Sequence, residues 1–244
     1  MERTVAFAIL MYHRITGYRT SDEAKYACPS DLFAAHIRWL KGGDHTLVSL
    51  DEIETYLSGI GQMPGKPVVI TLDDGYRDNY ENAFPTLQEW NVSATIFVTT
   101  GAVGRMSSWT ETPWPMLDWG HIREMDRVGI AFGSHCVQHV RLAEVSPEKA
   151  WDEMSGSKQD IEFRLGKSIH HFAYPFGNHS PEVRTLASEA GYRLGLSARE
   201  GVNTRKSDRF ALHRIPIHGE DSIDRLSRKL CGAFGCAEQG DRDC

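Results

Sequence analysis

Four groups of chemically capable residues stand at the ends of apolar runs. Asp73-Asp74-Gly75 follows Pro67-Val68-Val69-Ile70-Thr71-Leu72. Adjacent carboxylates repel, so holding both in one turn calls for a bound cation or a shared proton, with Gly75 supplying the tight turn. The plainer alternative is a solvated turn in which one Asp caps the next helix. Gly133-Ser134-His135-Cys136-Val137-Gln138-His139 places two imidazoles with three residues between them, a spacing that predicts a helical turn with both on one side. Neutral imidazole suits Zn, Ni, Co or Fe, and two His with one carboxylate leave coordination positions for water and substrate. Cys136 is expected to point away and pack. Phe172-Ala173-Tyr174-Pro175-Phe176-Gly177 ends a strand in a Pro/Gly turn suited to aiming a backbone N–H at an anionic oxygen, or serving as an ordinary connection. Leu10-Met11-Tyr12-His13 puts one more imidazole at the end of the first apolar run.

The segments between these groups alternate. Runs at Val5 to Tyr12, Thr46 to Leu50, Pro67 to Leu72, Ala94 to Thr99, Ile130 to Gly133, His171 to Tyr174, Arg193 to Ser197 and Ala211 to Ile217 read as strands. Amphipathic stretches from Ser30, Asp51, Asn79, His121, Ser146, Ser180 and Asp221 read as helices. Strand–helix alternation over about seven or eight units in one domain predicts an α/β fold, a parallel sheet in a closed or nearly closed barrel with function at the strand C-terminal ends. Residues 1–231 are assigned to that barrel, and 232–244, polar and Gly-containing, to a flexible tail.

With 244 residues, 41% hydrophobic and 25% charged, the chain can bury a sizeable core. A formal charge of -6 with scattered basic residues argues against a nucleic-acid partner. Its longest apolar runs fall short of the roughly 20 residues of a membrane-spanning helix. Met1-Glu2-Arg3-Thr4 leads into an apolar run without a small-residue cleavage site, so the cytoplasm is the expected location. Five irregularly spaced cysteines, Cys28, Cys136, Cys231, Cys236 and Cys244, fit reduced thiols. His36, His45, His121, His170, His171 and His179 have no comparable setting and are assigned to the surface or to caps.

Together, Thr71-Leu72-Asp73-Asp74-Gly75, His135 to His139 and Ala173-Tyr174-Pro175-Phe176-Gly177 closely resemble the motifs of the polysaccharide deacetylase family, carbohydrate esterase family 4. Gly191-Tyr192 and Arg214-Ile215-Pro216 extend the likeness. The resemblance implies a distorted, partly open (β/α) barrel with about seven parallel strands and metal-dependent removal of N-acetyl groups from amino sugars. Asp74, His135 and His139 would bind a divalent transition metal, Zn2+ first, with Co2+ or Ni2+ as alternatives. Asp73 would be the general base, and the Phe176 N–H would meet the oxyanion. In a permuted subgroup that this chain resembles, the acid His lies on the first strand, which makes His13 the candidate, with His213 and His218 as rivals. Ala173 departs from the Arg that stands beside the base in many members, so another cation must orient Asp73, and Arg214 is the candidate. The Asp-Trp motif associated with the acid His is not evident between Leu194 and Asn203. Tyr76, Tyr174, Trp114 and Trp119 are the candidate sugar contacts, a packed lid being the alternative for the tryptophans.

The implied partner is an N-acetylated glycan, including a lipid-linked or other cytoplasmic precursor. Three other readings stand beside it: a hydrolase of small non-sugar amides, a non-catalytic glycan-binding protein, and a Mg-dependent phosphohydrolase. The last is disfavoured by the two His residues, since Mg prefers oxygen ligands.

Overall fold

The structure, a computed structural model, describes residues 5–18 and 20–234. Its strands are β1 (Ala8–Tyr12), β2 (Arg14–Ile15), β3 (Ala27–Cys28), β4 (Thr46–Leu47), β5 (Pro67–Leu72), β6 (Ala94–Val98), β7 (Ala131–Ser134), β8 (His171–Ala173), β9 (Leu194–Glu200) and β10 (Leu212–Pro216). The helices are α1 (Ser21–Ala24), α2 (Ser30–Gly42), α3 (Leu50–Leu57), α4 (Phe84–Glu89), α5 (Trp119–Arg127), α6 (Pro147–Leu165), α7 (Pro181–Glu189) and α8 (Ile223–Phe234). A π-helical turn, Asn79–Ala83, runs into α4.

β1 and β5 are buried along their whole length, as parallel strands covered on both faces must be. They pair from Ala8 opposite Val68 to Tyr12 opposite Leu72, and this pairing closes a ring in the order β1-β5-β6-β7-β8-β9-β10. All seven are parallel to their neighbours. The expected opening narrows to a thin seam, because β7 and β8 share one register pair, Ser134 with Phe172. β4 lies outside the ring on β5 and ends at Leu47, since Ser49 caps α3 in a reciprocal capping box with Glu52. Gly232 to Phe234 continue α8, and Ala233 and Phe234 pack on the core, so the predicted tail begins too early. Residues 235–244, with Cys236 and Cys244, and Met1 to Thr4 lie outside the described residues; Cys28 and Cys136 are free, buried thiols.

Strand alternation divides the core in two. Ala8, Leu10, Val68, Ile70, Ile96 and Val98 face the helices, whereas Ile9, Val69, Phe97, Leu196 and Leu212 face the barrel axis. Gly133 is required where β7 crosses Phe97, because a Cβ there would lie 2.4 Å from the Phe97 ring. Leu50, Ile53 and Tyr56 of α3 plug the N-terminal mouth of the barrel against Phe7 and Ile9. The in-pointing set then continues upward as His13, Asp73 and His135, each one residue past β1, β5 and β7, and Arg214 on β10.

At the plugged end, His171 is only 6% exposed and reaches Glu54, Nε2 to Oε2 3.3 Å, while Arg193 donates to Glu54 Oε1 at 2.9 Å. His36 is likewise buried, bonded to the Tyr12 hydroxyl (3.1 Å) and the Asp221 carbonyl (2.6 Å). The surface assignment is therefore corrected for both residues, whose polar atoms find partners inside. The His171 bond, helped by Arg193, holds the Glu54 carboxyl down at about 2 against the upward push of burial. A depressed carboxylate contributes stability above its unfolded value near 4.5 and loses it as pH falls toward 2. Glu54→Gln is expected to cost about 1 kcal/mol at neutral pH, with the gap to wild type closing in acid, as read by urea unfolding across pH.

Candidate active site

The turn after β5 brings its two carboxylates to different neighbours. Asp73 points into the barrel and meets Arg214 in a bidentate pair, Nη1 to Oδ1 2.7 Å and Nη2 to Oδ2 2.6 Å. Arg214 is 1% exposed and is held in turn by Nε donating to the Ser197 carbonyl at 2.8 Å. Asp74 takes a left-handed backbone, φ 74°, which swings its carboxylate toward the loop after β7. There its Oδ1 lies 3.2 Å from Nε2 of His135 and 3.2 Å from Nε2 of His139.

The predicted helical turn between the two imidazoles is not what joins them. His135 to His139 is irregular, with Cys136 at φ 68°, and the segment is fastened on both sides. Thr100 and Gly101 N–H groups donate to the Cys136 and Val137 carbonyls, and Gln138 N–H donates to the buried Glu153 carboxylate. Cys136 packs in the core, as expected, with its thiol pushed up by burial.

The donor set fits a metal. Asp74 Oδ1 is buried and accepts no hydrogen bond despite its two imidazole neighbours, and the three ligand atoms lie within 4.8 Å of one another. Bonds of about 2.0–2.1 Å in a tetrahedron separate ligands by about 3.3 Å, which matches the 3.2 Å spacings. His135 Nδ1 faces the Ala173 carbonyl at 2.7 Å, which places the proton there and leaves the Nε2 lone pair for coordination. Burial pushes the Asp74 carboxyl up, but His139, His135 and His13 outweigh it and hold the group well below the ordinary range. Burial acts the same way on Asp73, and Arg214 and His135 overcome it. His13 shows the reverse balance: burial lowers its pKa, and Asp74 and Asp73 only partly restore it.

Phe176 adopts φ 58°, and the hydrogen bonds of its turn are donated by Gly177 to the Tyr174 carbonyl and by Asn178 to the Pro175 carbonyl. The Phe176 N–H is thus left without a protein acceptor among the described residues. The Phe176 ring, 47% exposed, stands edge-on to His139 at 4.4 Å. Among the predicted sugar contacts, Tyr76 is buried beside Asp74 and packs with Trp109 and Trp114. Trp114 carries the Arg14 guanidinium 3.3 Å above its ring.

Two predicted contacts are corrected. Tyr174 is fully buried and donates to the Phe210 carbonyl at 2.9 Å, because its position on the strand turns it toward the helices. Trp119 opens α5 and packs on the outer core beneath Arg164 of α6. Of the rival acids, His213 alternates with Arg214 on β10 and so faces away from Asp73, and the His218 N–H is tied to Asp221 in the turn beyond. Trp109 is not among the residues singled out as sugar contacts, although it opens the aromatic loop that holds Trp114: its ring stacks on His139, centroids 4.6 Å apart and planes 20° apart. Its place among Trp109-Thr110-Glu111-Thr112-Pro113-Trp114 was the available signal.

A model of the family described as polysaccharide deacetylase matches residues 60–195, a span containing Asp73, Asp74, His135, His139 and Phe176. The chain belongs to the polysaccharide deacetylase family. YxkH of Bacillus subtilis is 30% identical over 88% of this chain and 73% of its own length. The poly-β-1,6-N-acetyl-D-glucosamine N-deacetylase of Staphylococcus aureus is 26% identical over 91% of this chain and 82% of its own. Among solved structures, the Streptococcus pyogenes deacetylase PplD, in complex with acetate, matches at TM-score 0.82 and 28% identity, covering 93% of this chain and 99% of that one. IcaB from Ammonifex degensii matches at 0.80 and 26%, covering 93% and 97%. Family and barrel are as the motifs implied. His13 and Arg214 lie outside the matched span, and the ring closure is what brings them to it. No helix among the described residues is long and apolar enough to cross a membrane.

Proposed function

We propose that this family member hydrolyses the N-acetyl group of an amino sugar within a glycan, with zinc held by Asp74, His135 and His139. The observation that carries the reading is the Asp73–Arg214 pair: a buried, oriented carboxylate one residue from a three-ligand set. A glycan-binding protein has no need of a base there. Bound by these ligands, a divalent transition metal supplies Lewis acidity, making water more acidic and an acyl carbon more electrophilic.

The chain's own groups perform the proton transfers. Asp73 accepts the proton of the attacking water, and Arg214 keeps its carboxylate ionised and aimed. The Phe176 N–H donates to the oxyanion of the tetrahedral adduct. His13 donates a proton to the departing nitrogen, so acetate leaves and a free amine remains on the sugar. Asp73 and Asp74 raise its affinity for that proton against burial.

The named activity of the Staphylococcus aureus relative supports an amino-sugar polymer as substrate, and the Trp109 and Trp114 flap supplies aromatic surface beside the metal ligands. The test is acetate release from N-acetylglucosamine oligomers by zinc-loaded protein. The expected result is one free amine per acetate, lost by at least about 10³-fold in Asp73→Asn. Turnover confined to small non-sugar amides would overturn the glycan assignment, and oligomer binding without turnover would replace the enzyme with a binder.

A further inference from the structure

The segment after the carboxylate pair, Arg77-Asp78-Asn79-Tyr80-Glu81-Asn82, folds back under the end of the first strand. β1 makes its last ladder contact at Tyr12, whose carbonyl accepts from the Asp73 N–H at 2.9 Å. His13 lies beyond that bond, between β1 and β2. Three side chains of the returning segment take over there. Asn79, fully buried, donates from Nδ2 to the His13 carbonyl at 2.8 Å. Asp78 Oδ1 accepts from the Ile15 N–H at 3.0 Å and from Asn79 Nδ2 at 3.1 Å. Asn82 Nδ2 donates to the Ile15 carbonyl at 2.7 Å. Asn79 and Asn82 both belong to the π-helical turn, a rare conformation that concentrates at functional sites.

The geometry points to Asn79 as a positioning residue for His13, with Asp78 and Asn82 completing a clamp that ties the acid's backbone to the turn bearing Asp73 and Asp74. The inference rests on the reading of His13 as the acid that protonates the departing amine. Its physical basis is rigidity: the base and the acid come from different strands, and a displacement of about 1 Å costs on the order of 10²-fold in rate. The Asn79 amide donates to the His13 carbonyl and to Asp78, not to a metal ligand, so it acts through His13.

The test separates acid-dependent from acid-independent turnover. An amide nitrogen must be protonated to leave, whereas the phenolate of 4-nitrophenyl acetate leaves without a proton. Asn79→Ala is expected to lower kcat on the acetylated oligomer about 30-fold, with KM within about twofold and metal content unchanged. On the aryl acetate it loses less than about threefold, and in a His13→Ala background it adds less than about twofold on the oligomer. Asn82→Ala, at a less buried position, gives the same split at about three- to tenfold should Asn79→Ala fail to fold. Equal losses on both substrates, or losses that multiply with His13→Ala, would show a merely structural role and overturn the clamp. Failure of the underlying reading looks different: His13→Ala would keep full oligomer activity. Failure of the clamp alone is an inactive His13→Ala beside a fully active Asn79→Ala.

Discussion

Asp74→Asn and His135→Ala are each expected to purify with less than about a tenth of the metal bound by wild type and to lose at least about 10³-fold in kcat/KM, roughly 4 kcal/mol of transition-state stabilisation. The choice of Asn matters. Asp74 sits at φ 74°, where Ala would add about 1 kcal/mol or more of backbone strain, while Asn tolerates the left-handed region. Asn therefore removes the ligand charge without disturbing the turn. His135→Ala removes a ligand whose orientation is fixed by the Ala173 carbonyl, and it leaves His139 stacked on Trp109 and edge-on to Phe176. Metal content by elemental analysis, taken beside acetate release, checks both arms. One metal per chain in either variant would exclude that residue from the set.

How much of this was readable from the amino-acid order follows from what each residue does. Val68, Ile70 and Leu72 alternate with Val69 and Thr71 in a strand buried on both faces, so an unbroken apolar run announced β5. A carboxylate pair that stops such a run stands out, and so do two imidazoles close together after another run. A single imidazole after the first run, His13, reads by itself as a packed or surface residue, and only the family resemblance makes it the candidate acid. What was not readable is backbone conformation that no residue type dictates. Nothing in Cys136 signals φ 68°, and the spacing of His135 and His139 pointed to a helical turn that is absent. Tyr174 reads as a sugar contact, and Trp109 is not singled out as one, because an aromatic residue looks alike whether it fills the core or faces the site. Only the strand's turn toward the helices, which gives the Tyr174 hydroxyl to Phe210, distinguishes them. Arg214 is separated from Asp73 by 141 positions, and only closure of the ring shows that the pair is bidentate. The Asn79 bond to His13 and the Asn82 bond to Ile15 have the same long-range origin.

Arg214→Lys is expected to lower kcat by about 10–100-fold and to move the acidic limb of the pH–rate profile upward, with metal retained. In the wild type Arg214 helps hold Asp73 below the ordinary carboxylate range, so the base stays ionised into acid. Lys keeps the charge but not the two parallel bonds, and Asp73 then protonates at higher pH and loses its fixed aim. The same linkage governs stability. Asp73 is depressed in the folded state, so its contribution is present above the unfolded value near 3.8 and is lost as pH falls through the folded one. Arg214→Met goes further, leaving a buried carboxylate unpaired at a cost of about 3–5 kcal/mol. Adding Asp73→Asn to Arg214→Met removes the stranded charge, and the double variant is expected to regain at least about 2 kcal/mol in urea unfolding while remaining inactive. The double variant lacks the base, so it reads only the structural part of the pair; the orienting part is read from Arg214→Lys, which keeps the charge and Asp73. An acidic limb unmoved in Arg214→Lys would mean that another group orients the base.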